Sequence, residues 1–213
     1  MNDIRQIFLD LDGPLLDGKE RHYFCYQTIL KRFGFEPVAI DEYWASKRNL
    51  TSLGNILDMS GAGAIHDDFV AAWRQIIESP EALALDRVQE GAIDRLRHWK
   101  DKGVRQTLVT MRKNKCALEE QLALTGLRPL LDAVLVCDHV NGGRGKADAA
   151  RCALQDNVKM NNTIWIGDTE IDWEAAQLLG CGIILVENGL RCREYLCNLN
   201  NSMLVPSIGI ASL

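Results

Sequence analysis

A doubly wound α/β fold, a parallel sheet with helices on both faces, carries an all-helical insertion after its first strand: three observations on this 213-residue chain predict it. Five short apolar runs, residues 6–10, 105–110, 133–137, 163–167 and 182–186, read as fully buried parallel strands. From the second run onward, stretches of helical periodicity separate them. About 95 residues lie between the first and second runs, far more than one crossover needs.

The first run, Ile7-Phe8-Leu9, ends in Asp10-Leu11-Asp12-Gly13. Asp10 and Asp12 are two apart, so on extended chain their side chains leave the same face. Gly13 then lets the backbone turn sharply. Two carboxylates at the end of a core strand repel, and burial raises their pKa values. A hard divalent cation such as Mg2+ is the usual remedy. The competing reading is a strand that simply runs out into an acidic turn.

The insertion follows. Residues 22–33 place Phe24, Ile29, Leu30 and Phe33 at helical spacing, and residues 66–77 do so with Phe69, Val70, Trp73 and Ile76. Residues 50–59 read the same way, and Gly61-Ala62-Gly63 marks a turn between two helices. The predicted division is a core of residues 1–15 and 84–213 and a helical domain of residues 16–83, joined through residues 13–18 and 79–86. Back in the core, Ala92, Ile93, Leu96 and Trp99 form a helical pattern with Gly103 as its stop. Residues 116–124, 147–154 and 171–179 give three more helices, the last ending near Gly180. The tail after Cys197 reads as a short closing strand or loop.

Composition sets limits. Hydrophobic residues make up 47% and charged residues 25%, ordinary for a globular protein. A net charge of −5 argues against broad nucleic-acid binding but not against a small anion met by a few cations. Asp3 and Arg5 interrupt the N-terminus, so no signal peptide is expected, and no run approaches the roughly 18 apolar residues of a membrane span. Seven scattered cysteines without a CxxC pair read as reduced thiols, mostly buried, in a cytoplasmic protein, and they lack zinc-ligand spacing.

In open parallel sheets ligands collect at the carboxyl ends of the strands, so the other strand ends test the first. The second run ends in Thr110-Met111-Arg112, where a hydroxyl and backbone N–H groups suit a phosphoryl oxygen; a threonine capping the next helix is the plainer alternative. The third leads through Cys137-Asp138-His139 to Asn141-Gly142-Gly143-Arg144-Gly145-Lys146, a lysine after a glycine-rich loop at the opening of a helix. It is not a P-loop, because Val140 stands where that motif has glycine and Ala147 where it has Ser or Thr. The fourth ends in Gly167-Asp168-Thr169-Glu170-Ile171-Asp172, with two acids at a helix entry where negative charge is favoured. Asp10, Asp12, Thr110, Lys146, Asp168 and Asp172 thus map to one edge of one sheet. Four acids and a lysine there amount to a Mg2+-binding pocket for a phosphate.

These motifs resemble those of the haloacid dehalogenase-like hydrolase superfamily, in particular its phosphoglycolate phosphatase-like branch with a helical cap. Asp10-Leu11-Asp12-Gly13 matches the family's DxDG, and Gly167-Asp168 through Asp172 matches its GDxxxD. The resemblance spans essentially the whole chain and implies a Rossmann-like core. It also implies the roles: Asp10 as nucleophile forming an aspartyl-phosphate, and Asp12 as general acid and then base. Thr110, Met111 and Lys146 would hold the phosphoryl group. Asp10, Asp168 and the Asp12 carbonyl would bind Mg2+, with Asp172 in support. The sequence departs from its relatives at Pro14, where threonine or valine is usual, and at Ala147, where proline often follows the lysine.

The expected function is hydrolysis of a small phosphorylated metabolite by a monomer or homodimer, without nucleic acid or membrane as partner. A phosphomutase would use the same residues, and a non-catalytic phosphate-binding protein would share the fold. A dehalogenase fits poorly, since Asp12 would have no leaving oxygen to protonate, and a phosphoacceptor receiver domain takes its phosphate after a later strand and needs no insertion. Lys47 and Arg48 are candidate specificity residues in the insertion, against the alternative of a solvated helix face. Arg112 is expected to be exposed, His22 and His139 structural or exposed, and Trp73, Trp99 and Trp173 packing residues.

Overall fold

The computed structural model describes residues 4–154 and 159–212. The chain divides into one unit of residues 1–17 and 88–213 and a second of residues 18–87. In chain order the strands are β1 (Gln6–Leu9), β2 (Leu16–Asp17), β3 (Arg87–Val88), β4 (Arg105–Thr110), β5 (Ala133–Val136), β6 (Thr163–Gly167), β7 (Gly182–Val186) and β8 (Met203–Val205). The helices are α1 (Lys19–Arg32), α2 (Ile40–Arg48), α3 (Leu53–Asp58), α4 (His66–Ile76), α5 (Pro80–Leu83), α6 (Ala92–Asp101), α7 (Lys115–Leu124), α8 (Gly142–Ala153), α9 (Glu170–Leu179) and α10 (Arg193–Leu196).

The first unit is built on a six-stranded sheet in the order β5-β4-β1-β6-β7-β8, parallel throughout, which is the predicted doubly wound α/β fold. The tail supplies the sixth strand, β8, beside β7. Strand polarity and alternation divide the core in two. Ile7, Leu9, Leu108, Ile166 and Ile184 face Leu96 and Trp99 of α6 and Leu118 and Leu122 of α7. Phe8, Val109, Trp165, Ile183 and Leu185 face α8 and α9, which meet them with Ala147, Ala150, Ala175 and Ala176. Leu9 pairs with Leu108 on one side and Ile166 on the other, so β1 is central. The strand order reverses direction between β1 and β6, and the crevice beyond their carboxyl ends is where such sheets bind ligands.

Several local features differ from expectation. Helix α8 starts at Gly142 rather than Ala147, so the glycine-rich segment is its first turn and not a loop. A Cβ on Gly143 would overlap Glu174 and the Ile171 carbonyl, so the glycine serves close packing of α8 on α9. The cysteines are mostly not buried: Cys25 and Cys137 are, whereas Cys116, Cys152 and Cys197 are exposed and Cys181 and Cys192 intermediate, all as free thiols. Pro14 fits its turn, which is closed by N–H donors of Gly13, Leu15 and Leu16 and asks for none from residue 14.

The second unit packs α1 to α4 around Tyr26, Ile29, Leu30, Tyr43, Ile56, Leu57 and Phe69. Tyr26 stacks on Tyr43 at 4.4 Å between ring centroids. Arg21 donates to Asp86 at 2.7 Å, with both side chains buried. The segment 79–86, read as a linker, contains the one-turn α5, opened by Ser79, whose hydroxyl accepts from the Ala82 N–H. Helix α2 was not legible as a helix, because it buries only Tyr43.

Candidate active site

The ends of β1 and β6 and the helices α8 and α9 deliver the parts of a single cluster. Asp10 directly follows β1, its N–H still donating to the Ile166 carbonyl at 2.9 Å. Asp168 directly follows β6 and is fully buried. Ligand oxygens of Asp10, Asp168 and Asp172 all lie within 4.8 Å of one another. Lys146 of α8, 2% exposed, donates to Asp10 Oδ1 at 2.9 Å and to Asp172 Oδ1 at 2.7 Å.

Asp172 is the organiser of this cluster. Its Oδ1 also accepts from Trp165 Nε1 at 3.2 Å. Its Oδ2 accepts from the Thr169 hydroxyl at 2.7 Å and from the N–H groups of Thr169 and Asp168 at 3.2 and 3.3 Å. With Lys146 these five bonds saturate the carboxylate. Asp172 therefore closes the turn from β6 into α9 and anchors Lys146. Gly167 makes the turn feasible, since a Cβ there would overlap the Asp172 carboxylate.

Asp168 is held differently. Its Oδ2 accepts from the Leu190 N–H at 2.5 Å, and its Oδ1 is buried with no hydrogen-bond partner among the described residues. Leaving a carboxylate oxygen buried and bare is costly unless something pairs with it. Gly13, at φ 100°, and Gly189 both crowd this carboxylate, and a Cβ on either would overlap it. Gly189→Ala is accordingly expected to displace Asp168 or the loop after β7, at about 1–3 kcal/mol of stability by overpacking. Urea unfolding of the variant would measure this, and unchanged stability would show that the carboxylate has room to move.

The electrostatics match. Burial pushes the Asp10 carboxyl up to about 7, with Lys146 opposing the shift and Asp172 and Asp12 adding to it. Asp168 is raised well above the carboxylate range by burial, then by Asp172 and Asp10. Burial works against the Lys146 charge, but Asp10 and Asp172 outweigh it and hold the ammonium above its ordinary range. Three carboxylates facing one lysine leave the cluster short of positive charge. The bare Asp168 oxygen and the all-oxygen donor set fit a hard divalent cation.

Thr110 ends β4 and is 1% exposed. It does not cap the following helix: Asn114 caps α7 by accepting from the Ala117 N–H at 3.1 Å. Met111 is half-buried. Arg112 is buried, not exposed as the sequence suggested, because its guanidinium grips Asp12: Nε donates to Oδ2 and Nη2 to Oδ1, both at 2.7 Å. Lys47 and Arg48, at the end of α2, are half-buried rather than solvated, and Lys47 lies over the Trp73 ring at 5.2 Å and the Tyr43 ring at 5.8 Å. His22 sits between the rings of Trp44 and Trp73 at 5.9 and 5.5 Å, and His139 is exposed.

Sequence reasoning passed over the loop after β7. Besides the Leu190 N–H, this loop carries Arg191, which donates to both oxygens of Glu170 at 2.7 and 2.6 Å. Asn188 donates to the Gln89 side chain at 2.8 Å, and Gln89 in turn donates to the Gly13 carbonyl at 2.9 Å. The Asn188-Gly189 pair at a strand end was the available signal of a tight turn there.

Comparison with known proteins gives this site its context. Residues 7–186 match the haloacid dehalogenase-like hydrolase family. The chain is 27% identical over 199 residues to phosphoglycolate phosphatase from Cereibacter sphaeroides, covering 87% of this chain and 86% of that protein. It is 22% identical over 194 residues to phosphoglycolate phosphatase from Rhodobacter capsulatus, covering 87% and 85%. In fold it resembles a haloacid dehalogenase-like family hydrolase from Streptococcus pneumoniae, with a TM-score of 0.74 and 19% identity over 96% of this chain and 95% of that one. A haloacid dehalogenase superfamily hydrolase from Geobacter sulfurreducens gives a TM-score of 0.70 and 17% identity over 98% and 94%. With the family match covering most of its length and the acidic cluster in the switch-point crevice, the chain belongs to the haloacid dehalogenase-like hydrolases.

Proposed function

We propose that this phosphatase hydrolyses a small phosphomonoester in a Mg2+-dependent reaction through an aspartyl-phosphate on Asp10. The observation that carries the reading is the buried trio of Asp10, Asp168 and Asp172 around Lys146, with one Asp168 oxygen bare. Asp10, Asp168 and the Asp12 carbonyl would hold the cation, which when bound neutralises phosphate charge and orients the group being transferred. Asp10 is the nucleophile, a weak one, which helps only where the charge it meets is neutralised. Lys146 has spent two of its three N–H donors on Asp10 and Asp172, and the third serves a phosphoryl oxygen. The Thr110 hydroxyl and the backbone N–H of Met111 complete the phosphoryl cradle. Asp12 gives a proton to the leaving oxygen and then takes one from water.

The names of the curated relatives put phosphoglycolate first among substrates to try. Lys47 and Arg48 of α2 are assigned to substrate choice, as cations for a second anionic or polar group. Seven free thiols fit a reducing compartment, the cytoplasm. Among the described residues no helix is long and apolar enough to cross a membrane.

The test is phosphate release from phosphoglycolate, sugar phosphates, nucleotides and p-nitrophenyl phosphate, with and without Mg2+. Activity is expected with Mg2+ and is expected to vanish with excess chelator and return on adding the ion. Turnover that survives exhaustive chelation would defeat the metal assignment.

A further inference from the structure

Asp12 is held unlike its neighbours. Asp10 and Asp172 share a lysine, and Asp168 takes a backbone N–H. Asp12 meets both arms of a guanidinium that is only 5% exposed, at 2.7 Å on each oxygen, while keeping 36% exposure itself. Burying an arginine carries a desolvation cost that a surface ion pair avoids. What a buried planar fork adds is geometry: two parallel N–H···O bonds fix both the position and the plane of the carboxylate, where a lysine would fix neither plane nor rotation. The partner comes from the end of β4, 100 residues away, so the pair ties the segment after β1 to the neighbouring strand end.

We infer that Arg112 is the positioning residue of the acid–base step, holding Asp12 so that its proton leaves and returns along one direction. The inference rests on the aspartyl-phosphate reading. In the first half-reaction an Asp10 oxygen bonds to phosphorus, the bond from phosphorus to the leaving oxygen breaks, and that oxygen takes the Asp12 proton. In the second, a water oxygen bonds to phosphorus, Asp12 takes the water proton, and the electron pair of the acyl-phosphate bond returns to Asp10. Arg112 keeps its protons throughout and acts through Asp12.

A leaving-group series tests this. An alkyl phosphate needs the Asp12 proton because alkoxide leaves poorly, whereas nitrophenolate leaves with little help. Arg112→Met is expected to lower the ratio of kcat/KM for an alkyl phosphate to that for p-nitrophenyl phosphate by about 100-fold, the scale of one general acid. Arg112→Lys, which keeps the charge but not the planar fork, is expected to recover part of that ratio. Adding Asp12→Asn to Arg112→Met is expected to cost nothing beyond Asp12→Asn alone, since the two residues act as one unit. Inhibition by inorganic phosphate is expected to stay unchanged, and melting temperatures show that each variant is folded. Equal losses on both esters with weaker phosphate inhibition would make Arg112 an anion ligand and overturn the inference. An unchanged ratio, or additive losses in the double variant, would reduce the pair to a structural bridge and overturn it too. An active Asp10→Asn enzyme would instead bring down the aspartyl-phosphate reading itself, independently of the Arg112 series.

Discussion

Replacing Asp10 by asparagine is expected to lower phosphate release by at least about 10⁴-fold, the scale seen when the attacking group of a covalent mechanism is removed. The amide has the carboxylate's shape but no nucleophilic oxygen, so no acyl-phosphate bond forms. The fold is expected to survive. Asp10 is one of three clustered carboxylates, and burial already pushes its carboxyl up to about 7, so neutralising it relieves repulsion. Lys146 loses one of its two anionic partners but keeps Asp172 at 2.7 Å. Rapid quench with radiolabelled substrate would look for acid-stable protein-bound phosphate, present in the unmodified enzyme and absent in the variant. Near-normal turnover in a folded Asp10→Asn protein would remove Asp10 from the mechanism.

The second large effect is on stability as well as rate. Lys146→Met is expected to destabilise the protein by about 3–5 kcal/mol, the cost of breaking a buried ion pair from one side. Lys146 bonds to Asp10 and Asp172, and without it three acids within 4.8 Å of one another lose the cation that pairs two of them. In chelator the deficit is expected to depend on pH. The Asp10 carboxyl moves from 3.8 up to about 7 on folding, so the folded state binds that proton more tightly than the unfolded one. The resulting penalty is absent below about pH 4, grows as pH rises to about 7 and levels off above it. Removing Lys146 takes away the charge that opposes this shift, so the variant's deficit widens toward neutral pH. Added Mg2+ is expected to recover part of it, by binding the folded state alone. Urea unfolding at several pH values checks each point, and a variant as stable as the unmodified protein at pH 8 would show that the cluster does not depend on its lysine.

The inner strands of the central sheet were legible because strands buried on both faces carry almost uninterrupted apolar residues, whereas β5, whose run also reads as fully buried, is half-buried at the sheet edge. Ile7-Phe8-Leu9 and Ile164-Trp165-Ile166 are such runs, and they lie paired in register, Leu9 against Ile166. Helices α6 and α9 were legible through apolar spacing and through glycine stops at Gly103 and Gly180, both at positive φ. Helix α2 was not, because a helix that buries one residue in nine has little apolar periodicity to read. The start of α8 was hidden by glycines, which propensity assigns to loops, although one of them, Gly143, is required by packing against α9. The cysteines misled for a related reason: burial is a tendency of the residue type, and the exposed Cys116, Cys152 and Cys197 show position overriding it.

The residues of the acidic cluster could be read from the chain, because a parallel sheet sends all its carboxyl ends to one side and the order of acids along the strand ends is a property of sequence. Arg112 shows the limit. It is a charged residue in the segment between β4 and α7, and its partner Asp12 lies 100 positions earlier. The same holds for the Leu190 N–H and Gly189 around Asp168. By itself the sequence determined the α/β class, the helical insertion and the acids at the strand ends, since each is set by local alternation of apolar and polar residues. The tertiary structure alone decided which charges meet. Ion pairing depends on a few ångströms between groups distant in the chain, and only packing of strand against strand and α8 against α9 sets those distances.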